Sequence, residues 1–350
     1  ALALLNRGAA TLGALWPSSS STLTLSSPEL SFDSPSNNAT SVFLAAGYPV
    51  TRKLVVGLLY STPTDYSLDW PGEKLSALSG NVFTWQSSLK LQRLSVSAAY
   101  IFSEKFALGL SLNMDKLNFG YALPFGTGQY EEALSDSAAT VTVGLRFQMT
   151  PQLSAGVSYT SAANWELAGD ASMPSAALIG LSGTSAITRP FSGPSRLSAG
   201  LTYQFSEKLK FAASILMSNW SDLSTLDGRF ENSEWVDLFG SHDLELNWES
   251  TTSIRFGAEY LVSDTLALRA GFATEPSATP EKNRHPMFFS LDGQSIGIGG
   301  CLTLKNLVID AAIVIPIIGE SMLSEAETVY WPGTYEASMI IPCLTVSYRF

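Results

Sequence analysis

Side chains alternate with period two along most of this chain, and no other feature restricts its folding so sharply. Leu197, Ala199, Leu201, Tyr203 and Phe205 make one phase of a segment whose other phase is Arg196, Ser198, Gly200, Thr202 and Gln204. Ile254, Phe256, Ala258 and Tyr260 oppose Ser253, Arg255, Gly257 and Glu259, and Leu266, Leu268, Ala270 and Phe272 oppose Ala267, Arg269, Gly271 and Ala273. Leu153, Ala155, Val157 and Tyr159 repeat the pattern against Ser154, Gly156 and Ser158. Successive strand side chains point to opposite faces, so each segment is a ribbon with one apolar face and one polar or small face.

Counting such ribbons predicts fourteen strands: 20–33, 39–49, 53–63, 88–102, 105–120, 137–149, 152–166, 194–205, 208–221, 249–262, 265–274, 288–304, 306–318 and 335–350. Short polar joints at 50–53, 103–105, 150–152, 206–208, 263–265 and 305–306 alternate with longer segments near 64–87, 121–136, 167–193, 223–248, 275–288 and 319–334. An even strand number with alternating short and long connections specifies an all-β fold. The expectation is a 14-stranded antiparallel up-and-down transmembrane β-barrel with short periplasmic turns and long extracellular loops.

A soluble β-sandwich also alternates, with its apolar face inward. Three features argue against it. Charges such as Arg146, Arg196, Lys210, Arg255, Glu259, Arg269, Asp310 and Arg349 keep to the non-apolar phase. Aromatics of the apolar phase gather beside the short joints, at Tyr100, Phe102, Phe106, Phe147, Tyr203, Phe205, Phe211 and Tyr260, where an interfacial girdle belongs. Many segments also exceed the ~5–6 residues usual for soluble strands.

Composition agrees. The chain is 45% hydrophobic yet only 15% charged, against roughly 25% charged in a typical soluble domain. No apolar run approaches the ~20 residues of a membrane-spanning helix. A net charge of −11 argues against nucleic acid as a partner. Two histidines, His242 and His285, and two cysteines, Cys301 and Cys343, supply no catalytic set, no metal-ligand spacing and no cofactor site. The cysteines fall on strands separated by one other, so their Cα atoms are expected roughly 10 Å apart, too far for a disulfide. An enzyme is not expected.

The chain ends on Leu344, Val346, Tyr348 and Phe350 alternating with Thr345, Ser347 and Arg349. Such an ending resembles the signal by which bacterial outer-membrane proteins engage their barrel-assembly machinery. The run Arg269-Ala-Gly-Phe-Ala-Thr-Glu-Pro-Ser-Ala-Thr-Pro-Glu-Lys-Asn-Arg284, with its spacing of Arg269, Gly271, Ser277, Pro280 and Arg284, resembles a strand-and-loop signature of the FadL-type family. Asn219-Trp220-Ser221 and the stretch Pro194 to Tyr203 resemble it as well. These are multi-pass transporters of the bacterial outer membrane for long-chain fatty acids and other hydrophobic compounds, and fourteen is their strand number. The amino end departs from the family. The resemblance implies an N-terminal hatch of about forty residues inside the barrel, with an Asn-Pro-Ala turn near its end. Here residues 1–19 form a short segment, a reduced plug, before the barrel at 20–350.

The resemblance implies passive uptake of a hydrophobic small molecule, released sideways through a kinked strand into outer-membrane lipid. Hydrophobic capture is expected in the long connections, through Leu178, Ile179 and Phe191 in one and Phe230, Trp235, Leu238 and Phe239 in another. Trp235, Leu238 and Phe239 are spaced i, i+3, i+4, consistent with a short amphipathic helix. The alternative for these residues is that they only pack the loops together. A cation in the lumen would hold a carboxylate head group. Lys116, similar to a basic position on the family's fifth strand, and Arg255 are the candidates, although alternation puts Lys116 on the lipid phase. Structural pairing with inward acids such as Glu259 or Asp310 is the alternative for Arg255, and Asp115 is the expected partner of Lys116. Wall irregularities are expected at Gly47, Pro49, Gly57, Pro316 or Pro342. A rival reading makes the barrel a structural subunit of a larger secretion or assembly complex, with a protein partner filling or capping it.

Overall fold

The computed structural model describes residues 2–27, 29–35, 37–240 and 243–350; His242 lies outside them. Fourteen antiparallel strands close into a barrel. They are β1 (Ala9–Leu15), β2 (Ser41–Pro49), β3 (Leu54–Trp70), β4 (Trp85–Ser103), β5 (Phe106–Phe125), β6 (Gly128–Gln148) and β7 (Leu153–Thr160). The second half comprises β8 (Ser195–Gln204), β9 (Leu209–Asn219), β10 (Thr251–Leu261), β11 (Leu266–Glu275), β12 (Gly293–Leu304), β13 (Leu307–Ile318) and β14 (Gly333–Arg349). Each strand pairs with its neighbour in sequence, and β14 pairs with β1 to close the sheet. Closure matters because a membrane-spanning sheet has no water to satisfy a free edge.

One end is made of tight turns, such as those in which the Val50 N–H donates to Leu54 O at 2.9 Å and the Phe205 N–H to Leu209 O at 2.9 Å. In the two-residue turn between β12 and β13, Lys305 takes φ 54°, the left-handed geometry such a hairpin demands. The aromatics near these turns point outward. Tyr100, Phe102, Phe106 and Phe147 form a chain of rings with centroids 4.9, 5.3 and 5.1 Å apart.

Toward the other end the contrast between the two faces inverts. On β5, Leu110, Leu112 and Met114 are exposed outward while Asn113 and Asp115 are buried inward. Beyond Asp115 the inner positions become Leu117, Phe119 and Tyr121, all buried, and the outer ones Lys116, Asn118 and Gly120. The outer wall has left hydrocarbon for water, and the inner wall now meets packed protein. The same inversion occurs on β4, where Trp85 and Ser87 are buried and Gln86 and Lys90 exposed.

This inversion corrects two expected loops. Residues 121–136 are the tip of the β5–β6 hairpin, with Phe125 paired to Gly128. Residues 167–193 are largely a hairpin, Ala163–Ser172 against Thr184–Gly193, whose tip is the 3-10 turn Pro174–Ile179. The first strand also starts earlier than expected. β1 runs from Ala9 and continues past Trp16–Pro17 into Ser18–Ser26, so residues 9–19 belong to the wall; Leu2–Leu4 form a 3-10 turn ahead of it.

Above the band, an apolar cap fills the barrel mouth. Trp70, Tyr130, Leu167, Ile187, Leu223, Trp235, Met287 and Tyr335 are each at most 2% exposed. The segment between β11 and β12 folds into this mouth, where Met287 O accepts from Tyr66 Oη at 3.2 Å and Ser87 Oγ at 2.5 Å. Two short helices, α1 (Gly72–Ser79) and α2 (Ser233–Phe239), add Leu75, Trp235 and Phe239 to the core. Asn232 caps α2, its side chain accepting from the Glu234 N–H at 2.9 Å.

Candidate functional site

Below the cap the barrel encloses a cavity of about 1020 Å³. Its wall comes from positions of β1 to β10, rich in Ser, Thr, Gly and Ala, among them Ser97, Ser111, Thr142, Gly144, Ser158 and Ser214. These hydroxyls pair across strands, as in Ser97–Ser111 at 2.6 Å and Thr142–Thr160 at 2.9 Å, so the wall is polar yet internally satisfied.

Charges in this space are chiefly arginines. Arg93 grips the fully buried Asp115 in a fork at 2.6 and 2.7 Å, and Thr140 donates to the same carboxylate at 3.0 Å. Asp115 is therefore bound across the wall and does not partner Lys116. Register runs unbroken through this part of β5, which leaves Lys116 on the outer phase. It does not line the lumen. Arg255 does, and its Nε donates to Ser253 Oγ at 3.3 Å. Among the described residues Arg146, Arg196 and Arg255 form no ion pair, and Arg196 lies within electrostatic reach of Arg93, Asp115 and Arg255. Glu259 and Asp310, the acids considered as partners for Arg255, join Lys210 and Arg269 in a separate network nearer the turn end: Lys210–Glu259 at 2.5 Å, Arg269–Glu259 at 2.7 Å and Arg269–Asp310. Cys301 and Cys343 are both free thiols.

The amino-terminal residues turn back into the same cavity. Leu2, Ala3 and Leu5 line it, against Gly47 of β2 and Gly57 of β3. A Cβ at Gly47 would stand 2.4 Å from Leu5 Cδ1, and one at Gly57 2.9 Å from Leu2 Cδ1. These glycines were expected to kink the wall. They pair with each other in regular register, and the room they leave is taken by leucines. The irregularity lies further along β3. Its register against β4 shifts between Ser61 and Thr64, at Pro63, a residue with no N–H for the ladder. Pairing of β2 with β3 stops at Phe43–Ser61, and beyond it the Val42 N–H turns to Thr62 Oγ1 at 2.9 Å.

The residues expected to capture ligand divide into two groups. Phe230, Trp235 and Phe239 form one aromatic cluster with centroids 5.0 to 5.6 Å apart, joined by Tyr130 at 5.2 Å from Phe239. Leu238 packs against this core, and Phe191 meets Trp165 edge-on at 5.9 Å. Leu178 and Ile179, by contrast, project from the Pro174–Ile179 turn at 87% and 66% exposure.

A buried ion pair that alternation could not reveal sits inside the cap. Arg189 donates to Glu132 through Nε at 2.7 Å and Nη2 at 2.6 Å, and through Nη1 to Leu226 O at 2.7 Å; Tyr130 Oη donates to Glu132 at 2.5 Å. Burial pulls the guanidinium pKa down, but hydrogen bonds and charge from Glu132 outweigh it and hold Arg189 above its ordinary value. Burial, with Glu132 beside it, pushes the Tyr130 hydroxyl far up. The one available signal was an arginine between the apolar residues Ile187 and Phe191.

The chain's sequence finds no match among curated proteins. Solved structures do resemble it: a Pseudomonas aeruginosa FadL homologue at TM-score 0.85 and 16% identity, covering 100% of this chain and 92% of that one. The Pseudomonas putida toluene transporter TodX follows at 0.79 and 16%, with 100% and 92% covered. The Ralstonia pickettii toluene transporter TbuX stands at 0.71 and 20%, with 99% and 91% covered. A family model described as outer membrane protein transport protein (OMPP1/FadL/TodX) matches residues 2–350. A closed fourteen-strand barrel with an outward apolar band, an enclosed lumen and an end-to-end family match leave one conclusion: the chain belongs to the FadL/TodX family, as an outer-membrane transport channel for hydrophobic compounds and not an enzyme.

Proposed function

We propose that this channel takes up amphipathic or neutral hydrophobes, long-chain fatty acids or aromatic hydrocarbons, and releases them sideways into the bilayer. Leu178 and Ile179 make first contact at the exposed tip. The cap passes the molecule to the lumen, where Arg146, Arg196 and Arg255 offer charge to a carboxylate. Leu2 and Leu5 act as a short plug on the turn side.

The observation that carries this reading is the break between β2 and β3 beyond Phe43–Ser61. A pore for water-soluble solutes has no use for an interrupted wall at the edge of the apolar band, because unpaired strand edges facing hydrocarbon are costly. A passage for an apolar molecule needs one. The test is uptake of a fluorescent fatty acid and of toluene into vesicles carrying the protein, with mass spectrometry of lipid retained through mild purification. Uptake faster than in protein-free vesicles supports the reading. Equal rates together with no enriched hydrophobe overturn it.

A further inference from the structure

A second interruption lies on the opposite side of β1, between β13 and β14. Their pairing runs from Leu307–Tyr348 to Val314–Ile341 and stops there; contact with β14 resumes only through the short segment Ser321–Leu323. Between these points the two strands are held by other neighbours. Ile315 to Ile318 stay paired to β12, while residues 336–340 of β14 pair with the continuation of β1 at Ser18–Ser26. The outer half of β14 thus pairs with the continuation of β1, which pairs in turn with Glu29–Asp33, in a sheet continuous with the barrel wall. One-sided pairing leaves a seam running along both strands. Prolines flank it, Pro316 on the inner phase and Pro342 on the outer.

The chemistry of the seam differs from that of β5 and β6 within the apolar band. At comparable positions β5 and β6 present Ser111, Asn113, Thr140 and Thr142 inward. Here the inward residues are Val314, Pro316, Ile318, Met339 and Ile341, all half-buried. Outside, Ile315, Ile317 and Ile340 are 48%, 57% and 42% exposed. Apart from Glu336 and Ser338 on the outer phase of β14, both faces of the wall are apolar along this stretch. Just below, on the lumen side, lies a recess of about 300 Å³ bordered by Gly271, Gly297, Gly299, Ala312 and Cys343, small side chains that leave room for a chain or a ring. Among the described residues, the charged groups bordering it are Arg269 and Asp310, which are bonded to each other.

We propose that the β13–β14 seam is a second lateral passage, taken by the neutral, apolar part of a transported molecule as it moves from the recess into the membrane. The occupant is cargo arriving from the lumen: Gly271, Gly297, Gly299, Ala312 and Cys343 of the recess stand on the inner phase of their strands, as do Val314, Pro316 and Ile341 next along β13 and β14. This rests on the channel reading above, but assigns a route that the β2–β3 break does not require.

Two measurements test it. In a Cys301→Ser, Cys343→Ser background, Ile315→Cys with Ile340→Cys is bridged by a cleavable bis-maleimide, and Val42→Cys with Thr62→Cys serves as the matching staple across β2–β3. Stapling β13–β14 lowers fatty-acid uptake, cleavage restores it, and both staples together abolish it. Full uptake with the β13–β14 bridge verified overturns the proposal while leaving transport intact. The second measurement uses the unaltered chain and a diazirine-bearing alkane. Labelling of Val314, Pro316, Ile318, Met339 or Ile341 supports a lumen-fed passage. Labelling confined to Ile315, Ile317 and Ile340 marks bilayer contact alone and overturns it. If the unstapled protein gives no uptake, the channel reading fails first, and the labelling pattern still decides for or against the seam.

Discussion

Replacing Glu132 with Gln should loosen the cap without unfolding the barrel. Both side chains of the Arg189–Glu132 pair are 0% exposed, and Glu132 receives two bonds from Arg189 and one from Tyr130. The amide can replace some of these bonds but not the charge, and an uncompensated buried charge costs about 3–5 kcal/mol. At 1.4 kcal/mol per tenfold, the open population of the cap rises by roughly two to three and a half powers of ten. Hydrogen exchange reads this directly, since amides protected by local structure exchange through local opening. Amides of 128–136 and 184–193 should accelerate by that factor, while those of β8 to β10 below the cap stay unchanged. Arg189→Met combined with Glu132→Leu removes both charges and should recover most of the protection. If the double variant exchanges as fast as Glu132→Gln, or the single variant is unaffected, the charge argument is wrong.

Other outcomes follow from the same geometry. Leu178→Asp with Ile179→Asp should leave stability within about 0.5 kcal/mol, because both residues are exposed, yet slow initial uptake in vesicles; unchanged uptake would remove the tip from the route. Trp235→Ala empties a fully buried site and should cost about 3–5 kcal/mol of cap stability, measured by thermal melting. Gly47→Val drives a side chain into Leu5 and should raise conductance across planar bilayers by displacing the amino-terminal segment. Arg255→Met should slow fatty-acid uptake and spare toluene; equal effects on both would assign Arg255 to the wall alone.

Where each wall position faces either lipid or lumen, the sequence was easy to read, and ribbons such as Leu197–Phe205 carry the fold openly. Legibility failed for two physical reasons. In Ala9–Leu15 the outward residues Ala10, Leu12 and Ala14 contrast weakly with Ala9, Thr11 and Gly13, so a real strand gives almost no periodic signal. Beyond the band the contrast changes sign, so Tyr121, Leu123 and Leu167 read as irregular loop although they lie on extensions of the strands and pack inward. The candidate site was legible residue by residue, because aromatic loops and inward arginines stand out. Their arrangement was not. Nothing local tells that Phe230 and Trp235 meet Tyr130, that Asp115 belongs to Arg93, or that Arg189 finds Glu132 across 57 residues.

The sign change along β4 and β5 also sets how deep the molecule sits. Sinking by one pair of residues would drag Lys116 and Gln92 toward hydrocarbon, where a lysine costs from about 0–1 kcal/mol near the surface to 2–4 at mid-depth. Rising by the same step would lift Met114, Leu94 and Ile340 into water. Every strand that inverts adds to both penalties, so the protein has a preferred waterline, and the wall interruptions beside Pro63 and Pro316 are held at the level of the outer leaflet.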